Sequence, residues 1–296
     1  MQTTQPLDVT AHVAGSIVPA VLDVIGQRWS LAIIQALLLQ TKSFSQLLAE
    51  LSIPRSTLAS RLKHLQQMTC LSAVTNGYQL SPAGQALMPV IVLANTWDKA
   101  AGLAQPQVMF RHQCAQPLAV DLHCSVCEAA VKAQDTVLDA AGEPLELDGL
   151  PKPARRSRAE FSSTQSLTSA EILGDRWTAL VVALGFYGVH RYSDIARHLG
   201  IAPNILADRL QRLSEGGVLE RQLEGQTDRA LYQLSARGLA LFPLIVALTQ
   251  WGDCWLRPRT SSPTRLRHLP CGQLLHGKLV CKACNNSVTA ASLISG

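Results

Sequence analysis

Two stretches of the chain carry leucines at the spacing that places them on one face of a helix. They are Leu58, Leu62 and Leu65 in the first stretch and Leu206, Leu210 and Leu213 in the second. Each stretch follows a shorter amphipathic segment, FSQLLAEL or YSDIARHL, and a break of three residues. Two short amphipathic helices joined by a tight turn predict a helix-turn-helix unit in each stretch.

Both units belong to a longer internal repeat. The segment GQRWSLAIIQA at 26–36 returns as GDRWTALVVAL at 174–184, which is an offset of 148 residues (174 − 26). The same order of helices and polar breaks follows in both copies. A period of this length is too long for a solenoid repeat, so we interpret each copy as a whole domain.

Each copy continues with an alternating segment and then an apolar one. VLERQLEGQTDRALYQLS in the second copy predicts a β-hairpin, or wing, and the shorter LSAVTNGYQLS predicts a smaller wing around Asn76-Gly77. The apolar segments 82–97 and 236–251 end at Trp97 and Trp251. One small domain cannot bury helices this apolar, so we expect them to pack against a partner.

Together these residues form a known pattern: G-x-R-W, then F/Y-S-x-[LI], then L-x-x-R-L, then Y-x-L-[ST]-x-x-G. Over residues 16–100 and 164–256 the chain resembles the HxlR-type winged helix-turn-helix transcriptional regulators. The resemblance implies sequence-specific binding of double-stranded DNA and pairing through the terminal helices. Family members normally have one such domain, so we expect this chain to pair its two copies internally or to form a homodimer. The sensing cysteine of several members is replaced by Ser16 and Thr164, which implies that this route of oxidant sensing is absent.

We therefore predict a mainly α fold with small β-hairpins. It consists of two tandem winged helix-turn-helix domains, each followed by a small Cys-rich hairpin module. The predicted boundaries are 1–100 and 101–131 for the first domain and module, 132–163 for a linker, and 164–257 and 258–296 for the second domain and module. The linker is predicted from its composition, which is first acidic with Gly and Pro and then basic.

The polar face opposite each leucine stripe is predicted to contact DNA. In the first copy its residues are Arg55, Ser56, Thr57, Ser60, Arg61, Lys63 and His64. In the second copy they are Asn204, Asp208, Arg209, Gln211 and Arg212, with Arg221 and Arg229 from the longer wing. Basic side chains suit phosphate contacts, whereas hydroxyl, amide and carboxylate groups suit base edges. A merely solvated helix face is the alternative, and for Arg61 and Arg209 an intradomain salt bridge is equally open.

Six of the eight cysteines form a second repeated pattern, C-x9-C-x2-C, which a histidine precedes in both copies. Three thiolates and one imidazole complete a tetrahedral zinc site. We predict one zinc ion per module, with His112, Cys114, Cys124 and Cys127 as the first ligand set and His268, Cys271, Cys281 and Cys284 as the second. His123 is an alternative to His112, and an inert hairpin or a redox-active C-x2-C pair is an alternative to zinc. Cys70 and Cys254 are predicted to be ordinary buried thiols.

Composition narrows the class of protein. With 296 residues, 47% hydrophobic and 16% charged, the chain fits about two folded domains, and a net charge of +5 is compatible with nucleic acid. The sequence predicts neither a membrane span nor a secretion signal, so we expect a cytoplasmic protein. It contains no nucleotide-binding Gly loop, HExxH or nucleophile motif, so we do not expect an enzyme. A protein–protein adaptor that uses the winged-helix and zinc-hairpin surfaces is the alternative function, which Asp208 and the short first wing favour.

Overall fold

The computed structural model describes residues 16–103, 110–140, 167–223 and 230–295. Arg229, Thr164 and residues 141–163 of the predicted linker lie outside these ranges. The first copy comprises α1 (Val18–Ile25), α2 (Arg28–Leu37), α3 (Phe44–Leu51), α4 (Arg55–Gln67), β1 (Leu71–Val74), β2 (Gly77–Leu80), α5 (Pro82–Gln85) and α6 (Met88–Ala100). The first Cys-rich module follows with β3 (Phe110–His112), β4 (Val120–Cys124), a 3-10 turn (Ala133–Asp135) and β5 (Thr136–Ala140).

The second copy repeats this order. It comprises α7 (Ser169–Gly174), α8 (Arg176–Phe186), α9 (Tyr192–Leu199), α10 (Pro203–Glu215), β6 (Leu219–Leu223), β7 (Ala230–Leu234), α11 (Ala236–Leu239) and α12 (Phe242–Trp255). The second module contains β8 (Arg265–His268), β9 (Gln273–Leu274), β10 (Gly277–Cys281), a 3-10 turn (Ala290–Ser292) and β11 (Leu293–Ser295). The mainly helical fold with two helix-turn-helix units is therefore confirmed.

Local sequence sets the ends of these helices. The Ser43 hydroxyl accepts a hydrogen bond from the backbone N–H of Gln46, and the Gln46 side chain accepts one from the backbone N–H of Ser43. This capping box starts α3. The turn between α9 and α10 passes through Gly200 at φ 57, a conformation that favours glycine. The leucine stripes of α4 and α10 are buried to 2% exposure or less, as their spacing predicts.

Two details differ from the predicted elements. Each apolar terminal segment forms two helices, α5 and α6 or α11 and α12, and the longer one begins with Pro89 or Pro243 in its first turn. Proline lacks the N–H that would continue the preceding helix, so a new helix begins there. The predicted linker also begins too early, because its first residues form the 3-10 turn and β5, and β5 pairs with β8.

The two copies pack against each other inside one chain through pairs of equivalent contacts. Helix α1 contacts α12 and, in the equivalent contact, α7 contacts α6. The indole N–H of Trp97 donates to the carbonyl of Arg237 at 3.0 Å, and that of Trp251 donates to the carbonyl of Ala83 at 2.8 Å. Ala83 and Arg237 are equivalent positions, since both pairs are 154 residues apart (237 − 83 and 251 − 97). The apolar terminal helices thus find their partner in the other copy.

The Cys-rich modules are not two separate hairpins. Strand β4 pairs antiparallel with β10, with Leu122 opposite Leu279, while β3 pairs with β11 and β5 with β8. The expectation of one self-contained hairpin per module is therefore corrected. Each module is too short to bury an apolar core alone, so the strands interleave and bury Val120, Leu122 and Leu279 between them.

Among the described residues, no single helix is long and apolar enough to cross a membrane. One bent pair of helices, Val18–Ile25 with Trp29–Leu37, is together long and apolar enough by length and composition alone, and the two helices meet at an angle of 76°.

Candidate nucleic-acid interface and metal centres

Helix α4 presents a polar face away from its buried leucines. Ser56, Ser60 and Lys63 are exposed on it, and Thr57 is half-buried. Arg55 is also exposed, and its guanidinium lies 5.1 Å from the centre of the Phe44 ring. Hydroxyls and basic groups side by side on one helix face can bond both base edges and phosphates.

Two members of the predicted set lie at the edge of this face. The His64 ring Nε2 is 3.1 Å from the carbonyl oxygen of Asp23 at the end of α1, and the side chain is half-buried. Burial lowers the pKa of His64, although hydrogen bonding to that carbonyl opposes the shift. The neighbouring Arg61 is half-buried as well. The imidazole therefore contacts both α4 and α1, and its predicted contact with DNA stays a prediction.

In the second copy, Arg209 is held by an ion pair within its own domain. Its guanidinium donates from Nε at 3.1 Å and from Nη2 at 2.8 Å to Oδ2 of Asp175, which caps α8 and also accepts from the N–H of Thr178. Burial raises the pKa of Asp175, but the hydrogen bonds from Arg209 and Thr178 outweigh it and hold that pKa below its usual value. Of the two roles left open for Arg209, the intradomain salt bridge is the arrangement present.

The rest of the α10 face is nearly neutral. Asp208 pairs with Arg209 and, at 3.2 Å, with the Nε of Arg212. Asn204 is exposed, and the exposed Gln211 donates to Glu215 at 2.7 Å. Helix α4, in contrast, carries two arginines and a lysine with no acidic residue. In the wing, Arg221 is exposed on β6, whereas Arg229 lies outside the described residues.

All eight predicted metal ligands converge into two clusters, but each cluster draws on both modules. Cluster A contains His112, Cys114, Cys281 and Cys284, and cluster B contains Cys124, Cys127, His268 and Cys271. The pairing within modules that the sequence suggested is therefore wrong, although the ligand types are those predicted. The reason is the strand pairing, because β3 lies beside β11 and β4 beside β10.

The spacing of these atoms fits a metal ion. Within each cluster the candidate ligand atoms lie within 4.8 Å of one another. In cluster B, the sulfurs of Cys124 and Cys271 are 3.9 Å apart, and the Nδ1 of His268 is 3.3 Å from the Cys127 sulfur. In cluster A, the Nδ1 of His112 is 3.3 Å from the Cys284 sulfur. Tetrahedral zinc with bonds of about 2.0–2.3 Å separates its ligand atoms by roughly 3.3–3.8 Å.

Backbone geometry favours thiolate at the first cysteine of each C-x2-C pair, Cys124 and Cys281, whereas the pKa of the second, Cys127 or Cys284, is raised. Burial raises the pKa of Cys124, but backbone N–H groups of Cys127 and Val126 bond its sulfur and leave the pKa below its usual value. Burial also raises the pKa of Cys281, but backbone N–H groups of Ala283 and Cys284 bond its sulfur and leave that pKa below its usual value. The residue after each C-x2-C pair, Glu128 or Asn285, adopts a left-handed conformation that closes a tight turn. All eight cysteines are free thiols, so six of them are available for metal.

The remaining histidine and cysteines lie outside the clusters. His123 bonds the carbonyl of Glu128 through Nδ1, so it does not replace His112 as a ligand. Cys70 is buried, which raises its pKa to about 12, and it fits the predicted inert thiol. Cys254, however, is exposed, so its predicted burial is wrong: it lies near the end of α12, beyond the stretch that the other copy covers.

Sequence reasoning missed Asp175 as the partner of Arg209. The available signal was an acidic residue directly before the repeated Arg-Trp pair, where the first copy has Gln27. An aspartate at a helix N-cap has a ready explanation as a cap, and this one does cap α8. Its second role depends on the position of α10, which the local sequence does not specify.

The chain is similar to known helix-turn-helix proteins. The family described as HxlR-like helix-turn-helix matches residues 24–105 and 172–260. An uncharacterized HTH-type transcriptional regulator of Mycobacterium tuberculosis is 38% identical over 124 residues, which cover 42% of this chain and 78% of that protein. The HTH-type transcriptional regulator YodB of Bacillus subtilis is 29% identical over 89 residues, which cover 29% of this chain and 80% of YodB.

Among solved structures, that of PA1607, described as a candidate transcription factor, is 34% identical with a TM-score of 0.38. The alignment covers 42% of this chain and 89% of that protein. The two regions that match the family together span more than half of the 296 residues, and each contains one complete helix-turn-helix unit. The chain belongs to the HxlR-like helix-turn-helix family and carries two copies of its domain.

Proposed function

We propose that this protein is a sequence-specific, DNA-binding transcriptional regulator that presents two unlike readers from one pseudo-dimeric chain. The observation that carries the proposal is the exposed polar and basic face of α4, opposite a fully buried leucine stripe. The relatives are named as transcriptional regulators, which supports a regulatory rather than an enzymatic role. A regulator of this kind acts on chromosomal DNA, so we place it in the cytoplasm.

The two readers contribute unequally in this proposal. The α4 face supplies Arg55 and Lys63 for phosphate and Ser56, Thr57 and Ser60 for base edges, while the basic groups of α10 are engaged with acidic ones. Phosphate contacts supply most of the affinity of such proteins. The first copy then provides more of the affinity, and Asn204, Gln211 and the wing residues Arg221 and Arg229 of the second copy add discrimination. The preferred site is an imperfect palindrome.

The test begins with selection of bound sequences from random DNA. On the selected site, Ser60→Ala combined with Lys63→Ala is expected to weaken binding by about tenfold or more and to reduce the slope of log affinity against log salt by about 0.9. Lys99→Ala is the matched control, since it removes an exposed lysine from α6. Equal affinities for the double variant and the control would refute the assignment of this face.

In the same proposal each Cys/His cluster holds one zinc ion. Three thiolates and a buried imidazole are a zinc-type donor set, and zinc binding would supply folding energy to modules that have little core of their own. Because each cluster takes ligands from both modules, the ions also fasten the two halves to each other.

Metal analysis of the purified protein tests this directly. We expect two zinc ions per chain, one for each cluster, and one ion after Cys124→Ser with Cys127→Ser. Cys254→Ser is the matched control, because that exposed thiol lies outside both clusters, and it leaves two. Zinc-free protein, purified without chelator, would contradict the proposal.

The near-neutral α10 face also favours a second candidate, an adaptor that binds protein through its winged-helix and zinc surfaces. Salt dependence separates the two functions. DNA binding through several phosphate contacts weakens by orders of magnitude between 50 and 200 mM salt, roughly 10³–10⁵-fold for six to ten contacts. The adaptor function predicts no selected DNA sequence and no such dependence.

A further inference from the structure

Each half of the chain consists of one winged-helix copy and the Cys-rich module that follows it. Two helix contacts join the halves at equivalent positions, but one contact is apolar and the other is polar. In the first contact Val21 of α1 faces Gly252 of α12, and in the second Ser169 of α7 faces Asp98 of α6. Residue 169 is the repeat equivalent of residue 21 (169 − 21 = 148), and residue 252 is the equivalent of residue 98 (252 − 98 = 154). An apolar pair with glycine therefore replaces a hydrogen-bonded polar pair.

The first contact depends on the missing side chain of Gly252. A Cβ on that residue would lie 2.5 Å from Cγ2 of Val21 and 2.6 Å from Cγ1 of Ile17. Both distances are well below van der Waals contact. Helices α1 and α12 can therefore approach this closely only because residue 252 is glycine, and a larger residue would force them apart.

The second contact is a half-buried carboxylate with dedicated donors. Asp98 accepts from the backbone N–H of Ser169 at 2.7 Å and from its hydroxyl at 2.6 Å. Ser169 is the first residue of α7, so its N–H has no partner inside the helix. Burial raises the pKa of Asp98, while the Ser169 bonds and the charge of Arg237 act against that shift. Both residues that stabilise the carboxylate come from the second copy.

We propose that the pairing surface of each half accepts the unlike half and rejects a second copy of itself. A pair of two first halves would place Asp98 against Val21, whose N–H already bonds the carbonyl of Ile17 at 3.1 Å. Ala83 would stand at the equivalent of Arg237 in that pair. The half-buried carboxylate would then lose the donors that it has now while it stays partly shielded from water, which is unfavourable.

A pair of two second halves fails for the complementary reason. Gly252 would face Ser169, so the hydroxyl and the first N–H of α7 would lose their acceptor. The metal clusters cannot make this choice, because both modules supply the same His-Cys arm and the same C-x2-C arm. The helix contacts thus select an unlike partner and keep two different readers in one molecule, whatever those readers bind.

A nicked form of the full chain tests the pairing. A protease site is inserted within 141–163, the zinc-loaded protein is cleaved after folding, and the mixture is unfolded and refolded with zinc. Native mass spectrometry then counts the pairs. We expect unlike pairs in at least about tenfold excess over either like pair. A distribution near one to two to one, the result of indifferent pairing, would overturn the proposal.

Asp98→Gly in the nicked chain sharpens the test. The change removes the half-buried carboxylate, and glycine at this position admits Val21 as Gly252 does. Pairs of two first halves are therefore expected to appear in this variant, while pairs of two second halves stay rare. Their absence would mean that Asp98 does not enforce the choice.

The intact chain supplies an independent measurement that needs no refolded fragments. Gly252→Asp recreates the rejected contact of two first halves, and Asp98→Gly recreates that of two second halves. We expect the equilibrium constant for unfolding in urea to rise by about 100-fold for the first variant and by about tenfold for the second. Wild-type unfolding of both variants would contradict the proposal.

Discussion

Removal of the Arg209 guanidinium separates a structural role for this residue from a DNA-reading role. In Arg209→Ala the buried Asp175 loses its cationic partner, and the side chains of the pair are only 18% and 7% exposed. Breaking a buried ion pair from one side costs about 3–5 kcal/mol. Asp175 keeps the N–H of Thr178 at 2.9 Å, so we expect the lower end, about 3 kcal/mol.

The pH dependence adds a second signature. The paired Asp175 has a folded pKa below its unfolded value, so its contribution is present above the unfolded pKa of about 3.9 and disappears as pH falls through the folded one. In Arg209→Ala the carboxylate is buried without its cation, and protonation relieves the penalty. The deficit of the variant is therefore largest near neutral pH and shrinks as pH falls toward about 4.

The assay is urea unfolding followed by tryptophan fluorescence at pH 7.5 and 4.5, together with DNA affinity on the selected site. Arg212→Ala is the matched control, because its partner Asp208 is 36% exposed and such surface pairs contribute about 0.5 kcal/mol or less. Wild-type stability of Arg209→Ala combined with lost DNA affinity would refute the structural assignment.

Three further changes give separate outcomes. Leu58→Ala truncates a fully buried residue of α4 and is expected to cost about 3 kcal/mol in urea unfolding, with weaker DNA binding at temperatures near the melting point. Trp251→Phe leaves the Ala83 carbonyl without its indole donor and is expected to cost about 1 kcal/mol, and an unchanged urea midpoint would contradict the pairing between copies. His64 has a folded pKa below its unfolded value, so the wild type loses stability as pH falls from about 7 to 5. His64→Gln should lack this loss, and parallel pH profiles of the two proteins would exclude the half-buried ring as its cause.

The helices were predictable because their signals are local. The leucines at 58, 62 and 65 fix which face of α4 is buried, and the repeat assigns the same face to α10. The two wings follow from alternation around a turn, and their difference in length is present in the structure. The zinc-type residues were identifiable by their chemistry alone.

The partners of these residues were not predictable, since both copies offer the same groups. Cys114 has a C-x2-C pair ten residues later in its own module and an equivalent one in the other, and only the pairing of β4 with β10 decides between them. Likewise, Asp98 resembles a solvated residue near the end of an amphipathic helix until α7 is placed against it.

Strand β5 illustrates the same limit on a smaller scale. Its sequence, TVLDA, begins a stretch whose overall composition is that of a linker. This strand forms by pairing antiparallel with β8, with Thr136 opposite His268. Strand β8 is more than a hundred residues away in the chain. Composition averaged over 132–163 cannot detect a five-residue strand whose partner is so distant.

Footprinting of the selected DNA site, combined with the mass of the complex, tests the central claim most directly. We predict one chain per site, an asymmetric footprint with two unequal protected segments, and loss of the stronger segment in the Ser60→Ala, Lys63→Ala variant. A symmetric footprint occupied by two chains, or binding that selects no sequence and does not respond to salt, would contradict the account.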